Sequence, residues 1–95
     1  MKILALENEL PGKVPVDYEL HLEAEAKAVW KLYKQGVIRE VYFRDDQTTA
    51  VLILECENTE QARQILAELP LVKLQLITFE IIPLKPYPGF ERLFK

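Results

Sequence analysis

The stretch from Leu74 to Leu84, LQLITFEIIPL, reads as a β-strand with apolar residues on both faces. In an extended chain Ile77, Phe79 and Ile81 point one way, while Leu76, Ile82 and Leu84 point the other. A strand with one face in water alternates apolar and polar residues, so this pattern requires cover on both sides. The rest of the chain supplies two helices, and in the expected arrangement both lie on one side of the sheet. The second cover is therefore expected to be another copy of the same chain.

A chain of 95 residues makes one domain, 1–95, and leaves roughly a third of its unfolded surface wet after folding. The composition is ordinary for a globular protein, and a net charge of -3 offers no basic surface for nucleic acid. Met1-Lys2 runs straight into a strand-like segment without the succession of a signal peptide, and no apolar stretch is long enough to span a bilayer. The expectation is a cytoplasmic protein with no membrane partner. Cys56 is the single cysteine, which excludes an internal disulfide or a multi-thiolate metal site within one chain.

Lys2 to Glu7 forms a first strand, ended by the Pro11-Gly12 and Pro15 region. From about Val16 to Gln35, apolar residues at Tyr18, Leu22, Ala26, Val29 and Tyr33 share one helical face. Acidic residues in the first half, Lys31 and Lys34 in the last turn and Gly36 beyond it suit the helix dipole and a C-terminal cap. Val37 to Arg44 and Thr49 to Glu57 are strands joined by a hairpin loop. Asn58 with Gln61 opens a second helix whose stripe is Ala62, Ile65, Leu66 and Leu69, and Pro70 is expected to end it. The tail, 85–95, combines prolines that exclude regular structure with aromatics that ask for burial.

The order β-α-β-β-α-β is the ferredoxin-like arrangement, an α+β fold with a four-stranded antiparallel sheet and both helices on one face. Pairing Arg44 with Thr49 aligns Tyr42 with Val51 and Glu40 with Ile53, leaving Val41, Phe43, Leu52, Leu54 and Cys56 on the helix side. The other set, Ile38, Glu40, Tyr42, Arg44, Val51, Ile53 and Glu55, mixes apolar and ionisable groups. Such a face suits contact with a partner sheet around a cavity.

With Ala24 to Arg44 (AEAKAVWKLYKQGVIREVYFR), the Leu69-Pro70-Leu71-Val72 step and Ile81 to Phe94 (IIPLKPYPGFERLF) in place, the chain resembles the muconolactone isomerase-like family of dimeric α+β barrel proteins. The Leu-Pro-Leu step resembles that of muconolactone isomerases, and the tail resembles a branch without an assigned activity. The resemblance implies two sheets packed into a barrel whose lumen holds a small organic molecule, and a homodimer. It implies no cofactor. One histidine and one cysteine cannot build a His-rich redox metal site, so no metal is expected.

Glu40 and Tyr42 share a face of the second strand. In a closed lumen the Glu40 carboxylate would be desolvated into a range useful for proton transfer, with Tyr42 orienting a carbonyl or enolate oxygen. The alternative is an ion pair of Glu40 with Arg44 or Arg39 that stabilises the sheet or dimer. His21 and Glu25 are adjacent on the first helix, so a carboxylate-oriented imidazole is a second candidate base, against the plain reading of a solvated histidine. Trp30 and Tyr33 are packing residues that can border a pocket. Arg39 and Arg44 complete the candidate substrate-binding set, with Arg39 expected on the helix-facing side. Glu7, Thr78 and Glu80 are placed on the lumen face of the first and last strands.

Two functions fit these residues. One is a cofactor-free isomerase that moves a proton on a small carbonyl or lactone held between helices and sheet. The other is a non-catalytic dimer that binds a metabolite or a protein partner.

Overall fold

The computed structural model describes residues 1–94; Lys95, the last residue of the tail, lies outside the described residues. Four strands, β1 (Lys2–Glu9), β2 (Ile38–Phe43), β3 (Ala50–Glu55) and β4 (Ile77–Pro83), form one antiparallel sheet in the order β2-β3-β1-β4. This is the expected ferredoxin-like α+β fold. No helix among the described residues is long and apolar enough to cross a membrane.

The hairpin register is the expected one: Tyr42 pairs with Val51, Glu40 with Ile53 and Val41 with Leu52. A bulge between Ile38 and Glu40 breaks the alternation, however, and places Ile38 opposite Leu54. Ile38 is therefore fully buried in the helix-side core instead of lying on the face with Glu40. Arg39 is the extra residue, exposed beside Gly36.

The long first helix divides. Its opening turn, α1 (Pro15–Glu19), starts with proline at a position where the missing N–H costs nothing. The chain then turns at Leu20-His21 and begins again as α2 (Leu22–Lys34). Gly36 at φ +79° ends α2 with a Schellman pair, Val37 N–H to the Leu32 carbonyl and Gly36 N–H to the Tyr33 carbonyl. α3 (Thr59–Leu66) is capped by the Asn58 side chain, which accepts from Gln61 N–H at 2.8 Å. Pro70 opens a further short helix, α4 (Pro70–Lys73), rather than leading into the strand, because proline suits a first helical turn. β4 therefore begins only at Ile77, and Leu76 is buried with Leu71 and Ile77 under Tyr18.

The core lies between the sheet and α2 and α3. Ile3 and Ala5 of β1, Leu52 and Leu54 of β3 and Ile38 of β2 meet Ala62, Leu66 and Leu69 there. On the opposite face Leu4, Leu6, Val51, Ile53 and Ile82 are only half-buried, and none of them belongs to the core cluster among the described residues. The tail ends in a 3₁₀ turn, Gly89–Phe94, in which Tyr87 and Phe90 pack edge to face at 5.0 Å. It does not bury its aromatics on its own chain. The Cα radius of gyration of 15.4 Å and the longest extent of 58 Å reflect that projection, since a compact chain of this length has a radius of about 12 Å.

Candidate functional site

An open cleft of about 1210 Å³ lies between the sheet and α2, on the helix side rather than on the free face. It exists because α2 is fastened mainly at its C-terminal half, where Ala28, Val29 and Leu32 pack on the core. Towards the β2–β3 hairpin the sheet outruns its helical cover, and Phe43 is 70% exposed. Val41, Phe43, Leu52 and Phe79 form the sheet wall, with Leu22, Val29, Trp30 and Tyr33 on the helix opposite. Trp30 and Tyr33 stack at 5.8 Å with their planes 21° apart. The Lys34 ammonium sits 5.9 Å from the centre of the Trp30 ring, an arrangement that steadies the indole. The wall is thus flat, aromatic and mostly apolar.

Two glutamates enter this apolar space from opposite elements. Glu7 continues the inward row Ile3-Ala5-Glu7 of β1 and pairs across with Phe79. Its Oε1 accepts from Ala50 N–H at 3.1 Å. Glu25 lies on the inward stripe of α2, between Leu22 and Val29, and its Oε1 accepts from Leu71 N–H at 3.0 Å. Both are half-buried, and burial raises the pKa of each above the ordinary 4.5, partly offset by the backbone hydrogen bond. Glu7 is pushed up further by the charges of Glu9 and Glu25. Glu7 also borders a smaller polar cavity of about 310 Å³ with Thr48 and Thr49, so one side of it faces polar surroundings.

The residues singled out in the sequence are spread over three places. Trp30, Tyr33 and Arg39 line the cleft. Glu40 and Tyr42 border it along the edge strand, but alternation assigns their exposed side chains to the free face. There the Tyr42 hydroxyl donates to Glu40 Oε1 at 2.6 Å, and that hydrogen bond raises the Tyr42 pKa. His21 begins α2 without capping it through its side chain, and it is not part of the cleft lining. Its expected partner Glu25 is bound to Leu71 instead. Arg44 forms a two-point pair with Asp46 at 2.9 and 2.6 Å in the exposed hairpin, not with Glu40. Thr78 and Glu80 lie on the free face, opposite in sense to Glu7. Cys56 is buried in the core, where desolvation raises its thiol pKa.

The Glu7 and Glu25 pair was missed as a unit, although each carried a signal. Glu7 interrupts an inward apolar row, and Glu25 interrupts an apolar helical stripe. A carboxylate in either place is desolvated by construction. Among the described residues, no group of three or more His, Cys, Asp or Glu side chains converges as a metal site.

The sequence model of the muconolactone delta-isomerase family matches residues 4–89. No curated protein matches the chain by sequence. Among solved structures, the chain is similar to 5-chloro-2-hydroxyhydroquinone dehydrochlorinase from Burkholderia phenoliruptrix AC1100, solved in complex with 2,5-dihydroxybenzoquinone. The TM-score is 0.64 at 18% identity, over 94% of this chain and 98% of that one. At that identity the likeness speaks for the shared fold.

Proposed function

The chain belongs to the muconolactone delta-isomerase family, and we propose that it is an isomerase or lyase that moves a proton on a small cyclic carbonyl compound held in the helix–sheet cleft. The observation that carries this reading is the pair of half-buried glutamates set in apolar walls, each fixed through one oxygen by a backbone N–H. A carboxyl group shifted upward by burial is a better proton carrier near neutral pH than a solvated one.

The two environments differ, and the difference assigns the roles. Glu7, raised by burial and by the charges of Glu9 and Glu25, takes the role of the acid. Glu25 is raised by burial alone and is the base. In the proposed reaction the Glu25 carboxylate takes a proton from the carbon next to the carbonyl, and the carbonyl oxygen becomes an enolate oxygen. Protonated Glu7 donates a hydrogen bond to that oxygen as its charge grows. Return of the proton from Glu25 to the far end of the conjugated system shifts the double bond without net change in atoms. Expulsion of a leaving group from the same enolate gives elimination. The dehydrochlorinase named above and its flat oxygenated ring ligand support the class of chemistry, and the Trp30–Tyr33 stack offers such a ring a matching surface.

The free face of the sheet suggests the assembly. Leu4, Leu6, Val51, Ile53 and Ile82 form an apolar patch that a second copy would cover, giving a dimeric barrel. Turnover of a panel of unsaturated lactones and hydroxyquinones tests the function. Glu25→Gln should still bind a substrate that the wild type converts, with kcat/KM lowered by about 10² to 10⁴. Full turnover by Glu25→Gln would remove this residue from the mechanism.

A further inference from the structure

We propose that α1 is a lid that closes over the cleft when a flat ring is bound there. The inference rests on the cleft being the reaction site and names the part of the chain that shuts it. Lys13, Pro15, Tyr18 and Glu19 line one side of the cleft, and Val41 and Phe43 of β2 line the other. Tyr18 packs at the start of β4, and β2 and β4 are the two edges of the sheet. Three strand spacings, about 14 Å, separate those edges. One small ring does not fill that span, so in this form the cleft stays open to water. Closing a site expels that water and strengthens the hydrogen bonds that hold a developing enolate.

The build of α1 suits movement as a unit. None of its five residues is buried. Asp17 caps it from within, accepting from Val14 N–H at 2.8 Å. Among the described residues its hold on the core is Tyr18, which packs on Leu71, Leu76 and Ile77 and donates to the Leu76 carbonyl through a long hydrogen bond of 3.2 Å. Both ends can swing. Leu10 N–H, bonded to the Leu76 carbonyl at 3.0 Å, fixes the chain just before Gly12, which stands at φ +83° with open space around it. At the other end the chain turns at Leu20-His21, where α1 gives way to α2. Along this segment Val14, Val16 and Leu20 are 52 to 83% exposed, and Phe43 across the cleft is 70% exposed. Closing brings the first group toward the second and covers apolar surface that the open form leaves wet.

Amide hydrogen exchange, read by mass spectrometry with and without 2,5-dihydroxybenzoquinone as the ring probe, tests closure. The colour of the quinone reports its binding independently. Exchange across residues 11–21 should slow about tenfold or more in the bound protein, and exchange in α3 should not change. Val16→Ser with Leu20→Ser supplies a second measurement. Both residues are exposed in the open form, so assembly mass should stay at the wild-type value while the probe dissociates about tenfold faster. Unchanged exchange across 11–21 in the bound protein, or wild-type release from the double variant, would overturn the lid, as would failure of the probe to bind. A lower assembly mass for the double variant would assign these residues to a subunit contact and overturn it too. Slowed exchange in a protein that turns over no lactone or hydroxyquinone would uphold the lid and remove the proton-transfer reading. Turnover that depends on Glu25 without slowed exchange would do the reverse.

Discussion

Removing the tail from Pro86 onward should destabilise the assembly without disturbing the fold of the single chain. Tyr87, Phe90, Leu93 and Phe94 are 65 to 83% exposed in one chain, so the sheet and core do not depend on them. Covering a large apolar side chain stabilises by about 1.5 to 3 kcal/mol, and the exposed parts of these four therefore represent about 4 to 9 kcal/mol of unused burial. Association and side-chain ordering offset much of that, which leaves a net contribution of a few kcal/mol. The assay compares the full chain with residues 1–85 by sedimentation and by thermal melting. If the tail packs on a second copy, the shortened chain should dissociate at lower concentration. Its Tm should fall by about 4 to 8 °C for each kcal/mol lost. Secondary structure should be retained. Unchanged mass and Tm would refute the reasoning and show the tail to be a passive extension.

The raised pKa values of Glu7 and Glu25 also bear on stability. Protonation favours the folded state for both, so the stabilisation is fully present below the unfolded value near 4.5 and is lost as pH rises through the higher folded values. Chemical denaturation across that range should show this decline in the wild type and a shallower one in Glu7→Gln with Glu25→Gln; equal slopes would contradict the burial of the pair. Carbon-detected titration of the carboxyl groups should place both above 4.5. Ile38→Ala should cost about 2 to 5 kcal/mol in chemical denaturation because the bulge puts Ile38 in the core; a cost under about 1 kcal/mol would place Ile38 on the free face instead.

The sheet was legible because its strands carry simple alternation and a short hairpin loop, which together admit one register for Tyr42 and Val51. Gly36 and Asn58 were legible because a positive φ and an N-cap each demand particular residue types. The bulge at Arg39 was not, since nothing in the local composition of Val37-Ile38-Arg39-Glu40 marks the extra residue. The break at Leu20-His21 has neither glycine nor proline, and the apolar stripe runs through it from Tyr18 to Leu22. Proline both stops one helix and starts the next, so Pro70 alone does not reveal the short helix that it opens. The cleft was expected around Glu40 because that strand face mixes charge with apolar residues. The decisive feature is three-dimensional: α2 covers only part of the sheet, and Glu7 and Glu25 come together from positions far apart in the chain.

Deuterium exchange from heavy water into the ring carbons of an unsaturated lactone, followed by proton NMR, tests proton transfer by the cleft most directly, because it needs no knowledge of the natural product. The wild type should catalyse exchange, Glu25→Gln should bind the lactone yet exchange it about 10² to 10⁴ times more slowly, and Glu40→Gln should match the wild type. Exchange by Glu25→Gln at the wild-type rate, or loss of exchange in Glu40→Gln alone, would contradict the assignment of the chemistry to Glu7 and Glu25.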